Sequence, residues 1–396
     1  MNKKSFDRRQ FLKLSAATGA AWGALSEIGP KLFSPNSLWP AEPEINSESQ
    51  PCEVMFYQKL PDQKIKCETC PKFCVVAEGQ RGCCGNKENQ DGIYYNLAYR
   101  QVCALQTDPI EKKPFFHYLP GTQALSLATA GCNLHCAYCQ NWDISQAKPE
   151  NIPPEKLKIL SPEQIIQSAQ KQKISTIALT YSEPIVFYEY MYDIARLGRP
   201  QGINSIMISN GFINPEPLKE LCQQLTAVKI DLKSFNDKFY REYCDGRLQP
   251  VLDTLINLKK IGLWFEIVVL LIPTLNDRRE EIRSLCHWVK ENLGPDVPVH
   301  FSRFYPHYKL TNLPPTPIKT IESAWETGRQ AGLHYVYTGN VTPHPGESTY
   351  CPNCQKVVLK RAGYGIMENN LSDGNCKYCG QVIAGVWKEI PPSQKE

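Results

Sequence analysis

Seventeen cysteines stand in this chain of 396 residues, most of them in three tight groups. Thiols with two or three residues between them read as metal ligands; disulfide scaffolding belongs to much shorter, denser secreted chains. The first group, Cys67-x2-Cys70-x3-Cys74-x9-Cys84, puts four thiols within eighteen residues. That spacing suits zinc or an auxiliary iron–sulfur cluster, since both prefer thiolate. Cys83 is adjacent and competes with Cys84 for the fourth place. The second group, Cys132-x3-Cys136-x2-Cys139, supplies three thiolates, one short of the four that fill an iron–sulfur cluster. One iron is then left with an open position for substrate or cofactor, as catalytic metal centres keep one. The alternative is a closed site completed by His135 or a distant thiol such as Cys103. The third group, Cys351-x2-Cys354-x21-Cys376-x2-Cys379, is a pair of CxxC knuckles in the zinc-ribbon arrangement. It implies structural zinc, because about fifty residues build little core without a metal. The cysteines left over are 52, 83, 103, 222, 244 and 286, and Cys222 and Cys286 fall in apolar helical patterns as small core residues.

A thiol loop needs a framework. From residue 120 to 340, apolar strand-like runs alternate with helix-period segments. The runs are 124–129, 174–180, 203–209, 227–232, 263–272, 299–304 and 335–338. Pro162, Pro184 and the Pro215-x-Pro217 pair stand where helices begin, a position that tolerates proline. Alternating strands and helices predict βαβ units and a parallel sheet, and their number fits a partial or full barrel. A doubly wound sheet is the alternative, but no GxGxxG follows the first strand, and the phosphate-binding GxxxxGK[ST] is absent too. The Cys132 loop follows the first of these strands. Polar residues gather after the others: Tyr181-Ser182-Glu183, Ser209-Asn210, Asp231 and Lys233 on one face by period two, and His300, Arg303 and His307. A closed sheet brings them to the same rim as the three cysteines.

Charged residues make up 21% and hydrophobic residues 42% of the chain, which excludes a disordered or multi-span membrane protein. A net charge of +4 carries no strong nucleic-acid signal and disfavours a nucleic-acid module built on the zinc ribbon. Arg8-Arg9-Gln10-Phe11-Leu12-Lys13, followed by a short Ala- and Gly-rich apolar run, looks like a twin-arginine export signal. The run is too short for a good membrane span. The expected order is a signal over 1–33, a disordered linker over 34–51, a cysteine-rich metal-binding region over 52–119, the barrel over 120–340 and a zinc-ribbon-like region over 341–396. An exported or membrane-associated protein follows from the signal; a cytoplasmic one is the alternative, since low-potential electrons are a cytosolic resource. No membrane-spanning segment is expected beyond a retained signal.

The residues Cys132, Cys136, Tyr138 and Cys139 resemble the signature of the radical SAM superfamily. More closely, the chain resembles the radical SAM enzymes of the AmmeMemoRadiSam system, related to pyruvate formate-lyase activating enzymes. The stretches CETCPKFCVVAEGQRGCCG, TAGCNLHCAYCQNWDIS, LTYSEP, ISNGF, KIDLK and HFSRFYPHYKL carry that likeness. The resemblance implies a partial (β/α)6 barrel with small cysteine-rich extensions at both ends. It also implies a 4Fe–4S cluster on Cys132, Cys136 and Cys139 that reductively cleaves S-adenosylmethionine to a 5′-deoxyadenosyl radical. Glu183 takes the place that binds the methionine amino group, although Tyr-Ser-Glu stands here where Gly-Gly-Glu is usual. Asn210, Asp231 and Lys233 match positions for the ribose and carboxylate, Tyr138 packs on the adenine, and His300 and His307 lie near adenine or substrate. The implied partners are a low-potential donor such as flavodoxin or ferredoxin, and a macromolecular or small-molecule substrate, a glycyl-radical protein among them. The competing class is a non-enzymatic iron–sulfur electron-transfer protein, which requires a fourth ligand at the central site.

Overall fold

The computed structural model describes residues 51–389. The Arg8-Arg9 segment, and all of the linker stretch but Pro51, lie outside the described residues. An eight-stranded sheet forms the centre: β1 (Ala104–Pro109), β2 (Gln123–Ala128), β3 (Thr176–Leu179), β4 (Asn204–Ser209), β5 (Ala227–Asp231), β6 (Trp264–Leu271), β7 (Val299–Arg303) and β8 (Val336–Gly339). The strands lie side by side in chain order. β1 runs antiparallel to β2, and every later neighbour pair is parallel. A doubly wound sheet would reverse its order midway; this one winds in a single direction. β1 and β8 are not paired, so the barrel is open between them.

The main crossover helices are α1 (Pro162–Lys171), α2 (Tyr188–Gly198), α3 (Pro215–Cys222), α4 (Leu248–Ile261), α5 (Arg279–Asn292) and α6 (Ile318–Gln330). They join β2 to β8, which makes six strand–helix units and a seventh parallel strand, the partial barrel the sequence predicts. β3 and β4 are buried at every residue, as strands covered on both faces must be, and this explains their unbroken apolar runs. α1 starts on a capping box. Ser161 Oγ accepts from the Gln164 N–H at 3.3 Å, and Gln164 Oε1 accepts from the Ser161 N–H at 2.7 Å. α4 stops at Gly262, whose φ of 80° is left-handed and suits glycine.

β1 is the one barrel strand absent from the sequence reading. Its Gln106 and Thr107 are both exposed and only the polar Asp108 is buried, so no continuous apolar run marks it.

Two small regions flank the sheet. Residues 52–96 form short antiparallel strands over a core of Val54, Ile65, Val76 and Tyr94. Residues 349–369 form a three-stranded antiparallel sheet. The chain beyond it returns under the barrel, where the Leu119 N–H donates to Val386 O at 2.8 Å and the Val386 N–H donates to His117 O at 2.7 Å. There, Glu266 of β6 accepts from the Phe116 N–H at 3.1 Å and the His117 N–H at 2.8 Å. Its Oε2 lies 2.7 Å from His300 Nε2. The Arg361 guanidinium sits 4.2 Å over the Phe116 ring and donates to the Phe116 carbonyl. His300 therefore belongs to the floor and not to the rim where the sequence reading puts it. It stands one layer below Ser302, the β7 residue two positions on that reaches the cavity described next.

Candidate active site

The C-terminal ends of the parallel strands enclose a cavity of about 500 Å³, within the range of roughly 300–1,000 Å³ usual for small-molecule sites. Cys132, Cys136 and Cys139 line it from the loop after β2, Glu183 from the turn after β3, Asn210 from the end of β4, and Asp231 and Lys233 from the end of β5. Ser302 of β7 and Asn340, just past β8, complete the far wall, so the sheet curls around the space.

The cysteine loop is held by backbone bonds. The His135 N–H donates to Cys244 O, and the Ala137 N–H to Tyr243 O, each at 2.8 Å. Gly131 opens the loop at φ 97°, and a Cβ there would lie 2.4 Å from Asn86 Oδ1, so the position has no room for a side chain. Cys132 Sγ accepts from the Leu134 N–H at 3.4 Å, and Asn210 Nδ2 stands 3.8 Å away. Burial raises the Cys132 thiol well above its ordinary value, so a bound cation is needed to hold it as thiolate.

Glu183 is buried. Its Oε1 accepts from Ser209 Oγ at 2.7 Å and its Oε2 from the Asn210 N–H at 2.8 Å. Burial still pushes it up to about 7, because these bonds and the more distant Lys233 only partly offset the loss of water. Asp231 lies between Lys229 and Lys233. Lys229 Nζ bonds one carboxylate oxygen, and Lys233 Nζ stands 3.2 Å from the other. Burial opposes ionisation of Asp231, but the two ammonium groups outweigh it and hold the carboxyl down to about 2. Asn276 fixes the height of Lys233 by donating to its carbonyl at 2.8 Å and to Leu270 O at 2.9 Å. Beside the mouth, Asp108 bonds Lys113 and Tyr181, and the Lys113 ammonium lies 4.3 Å over the Tyr181 ring.

Tyr138 lines the cavity, with its hydroxyl turned away toward Cys244 Sγ at 3.3 Å. His307 is exposed on the loop that packs against Ala137, and neither it nor His300 lines the cavity. His135 reaches outward to Asp245, and Cys103 Sγ bonds Ala128 O, so neither of the fourth ligands weighed from sequence faces the three thiols. Sequence reasoning missed Lys229 and Cys244. Lys229 was findable by stepping back two residues from Asp231 on a buried strand. Cys244 ends the π-helical turn Tyr240–Cys244, far from any CxxC spacing, and carried no signal.

The flanking thiols differ in geometry. Cys351, Cys354, Cys376 and Cys379 bring their sulfurs within 4.8 Å of one another, close enough to share one metal ion. Among the described residues this is the one group of potential ligands gathered so closely. Cys67, Cys70, Cys74 and Cys84 instead surround a small cavity.

The sequence profile of the radical SAM superfamily matches residues 126–286, which run from β2 into α5 and span the cysteine loop, Glu183, Asn210, Asp231 and Lys233. An uncharacterized protein of Methanocaldococcus jannaschii is 45% identical over 333 residues, 84% of this chain and 98% of that protein. A GTP 3′,8-cyclase of Lactiplantibacillus plantarum is 26% identical over 267 residues, 60% of this chain and 75% of it. A pyruvate formate-lyase-activating enzyme of Clostridium pasteurianum is 27% identical over 165 residues, 40% of this chain and 66% of it. Residues 126–286 therefore form a radical SAM domain, and the barrel has the radical SAM fold. Such a domain implies a 4Fe–4S cluster and S-adenosylmethionine. Three thiols opening on a cavity beside a carboxylate and an ammonium fit both. No helix among the described residues is long and apolar enough to cross a membrane.

Proposed function

We propose that this chain reductively cleaves S-adenosylmethionine at a 4Fe–4S cluster held by Cys132, Cys136 and Cys139, and uses the 5′-deoxyadenosyl radical to take hydrogen from a substrate. The observation that carries the reading is one cavity lined by those three thiols together with Glu183 and Lys233, groups of opposite charge. When bound, the cluster supplies one electron to the sulfonium. The residues of the chain bind and orient. Glu183 meets the amino group of the methionine moiety, Lys233 its carboxylate, and Asn210 the ribose, while Tyr138 offers an apolar wall to the adenine. Asp231 keeps Lys233 charged and in place. Within this class we read the chain as a member of the AmmeMemoRadiSam group with a macromolecular substrate, in line with its likeness to an activating enzyme. The four C-terminal thiols hold a single zinc ion, as their close spacing suits.

A second reading has one observation in its favour. Cys244 stands beside Tyr138 and next to Cys136, where a fourth thiolate would close the cluster and leave an electron carrier. Anaerobic reconstitution with iron and sulfide, reduction with dithionite and addition of S-adenosylmethionine separates the two. The Cys136→Ala variant should reduce 5′-deoxyadenosine to background, and Cys244→Ala should leave it within a few-fold of wild type. Absence of product from the wild-type protein, with iron lost from Cys244→Ala, would instead establish the electron carrier.

A further inference from the structure

The first cysteine group lies outside the site just described and surrounds a cavity of its own. Cys67, Cys70, Cys74, Cys83 and Cys84 line it, with the buried Lys87. Spacing in the chain leaves zinc and an iron–sulfur cluster open; the arrangement in space separates them. A tetrahedral zinc ion with Zn–S bonds of about 2.3 Å draws its four sulfurs to within about 3.8 Å of one another. The C-terminal thiols meet that demand, with Cys351 and Cys379 3.6 Å apart and Cys354 and Cys376 3.7 Å apart. The first group does not, since among the described residues no second set of three or more such ligands falls within 4.8 Å. Its thiols are spread more widely than that, around a small cavity of about 20 Å³. That is the arrangement a four-iron cluster requires, each thiolate binding a different iron.

The lining suits a cluster. Lys87 is 1% exposed, donates to Thr69 Oγ1 at 3.0 Å and lies 3.7 Å from Glu189, so a buried ammonium stands beside the sulfurs. The Cys83 N–H donates to Cys74 Sγ at 3.4 Å, the kind of bond that tunes a cluster's potential. Gly82 has no room for a side chain, because a Cβ there would lie 2.5 Å from the Tyr94 hydroxyl. Four cysteines can fill all four irons, so this site has no open position for substrate and is suited to carrying electrons. It also adjoins the central site. Asn133, the residue after Cys132, lines this cavity and accepts from Asn210 Nδ2 at 2.8 Å, while that same amide stands 3.8 Å from Cys132 Sγ.

We propose that Cys67, Cys70, Cys74 and Cys84 hold a second 4Fe–4S cluster, which passes electrons singly to the central cluster across Asn133. In each transfer a low-potential carrier protein gives up one electron and is oxidised. The second cluster is reduced by one and reoxidised as the electron moves to the central cluster, and no proton moves. This relay rests on the radical reading above; the occupancy of the site does not.

The test uses the full chain, reconstituted anaerobically with iron and sulfide, beside a variant carrying Cys132→Ala, Cys136→Ala and Cys139→Ala. That variant leaves the first cysteine group intact, so misfolding of the small N-terminal region does not confound it. It should keep about half of the wild-type iron and acid-labile sulfide. After dithionite it should show a cluster EPR signal that S-adenosylmethionine does not alter. A variant without sulfide, or with one zinc ion in the first group, would overturn the proposal. The relay requires neighbouring clusters, so the reduced wild-type spectrum should differ from the sum of this variant and a Cys67→Ala, Cys70→Ala variant. A simple sum would overturn the relay. Failure of the radical reading looks different: the wild-type spectrum itself would not respond to S-adenosylmethionine, whatever the first group retains.

Discussion

At the upper end of β5, Asp231 sits between Lys229 and Lys233. Near the lower ends of β6 and β7, Glu266 sits against His300 and the backbone of Phe116 and His117. Both carboxylates are enclosed by the same barrel, and both are surrounded by donors. The difference lies in what remains unpaired. Glu266 is completely covered and its neighbours fill the floor, so its bonds serve only the fold. Asp231 leaves its Lys233 partner facing a cavity, and a ligand can share that ammonium. A buried ionic group alone does not mark a site; an ionic group with space beside it does.

Substitutions at the two ends should separate along that line. The largest effect is expected from Glu266→Gln, which turns an amide NH₂ toward N–H donors that now meet a carboxylate. Removing one member of such a buried set costs about 4 kcal/mol, read as a fall in the denaturant midpoint at constant slope. Binding of S-adenosylmethionine by the folded fraction should be unchanged; a stable variant with weakened binding would undo the contrast.

Next is a pH effect at the floor. Burial holds His117 down to about 4, with the Glu266 charge opposing only in part. Its folded value lies below the unfolded value of about 6.5, so protons favour the unfolded chain. Stability should be full above pH about 6.5 and fall as pH drops toward about 4, by up to about 3 kcal/mol. A His117→Gln variant should lose most of that slope in unfolding curves taken between these limits. An unchanged slope would assign the acid sensitivity to other groups.

The smallest free-energy change is expected at the rim. Lys233→Met should weaken S-adenosylmethionine binding about 30-fold, ~2 kcal/mol, by calorimetry on the reconstituted protein. Stability should change less than in Glu266→Gln, because Asp231 keeps Lys229. Loss of fold comparable to the floor variant would make the rim lysine structural.

The strands from β2 to β8 were legible because each is an apolar run between turn residues, and the turns after them displayed Glu183, Asn210, Asp231 and Lys233. β1 was not, because its half-exposed residues break the run. His300 shows where such reading stops. Alternation along a strand tells which face a side chain takes, while its height in the barrel depends on where neighbouring strands start, and that is set by pairing. Cys244 is the complementary failure, a residue brought to the central thiols by a turn rather than by spacing in the chain.

The hydrogen bonds between Val386 and the backbone at His117 and Leu119 join residues separated by nearly the whole barrel. During synthesis the sheet, the helices and the central cysteine loop all leave the ribosome before the segment that closes the floor. The nascent barrel is therefore uncapped beneath for most of its time in translation, with Phe116 and Tyr337 awaiting Arg361 and the last knuckle. A stop codon between Asn340 and Arg361 would leave Cys132, Cys136, Cys139, Glu183, Asn210, Asp231 and Lys233 in the product and still release a protein without its base.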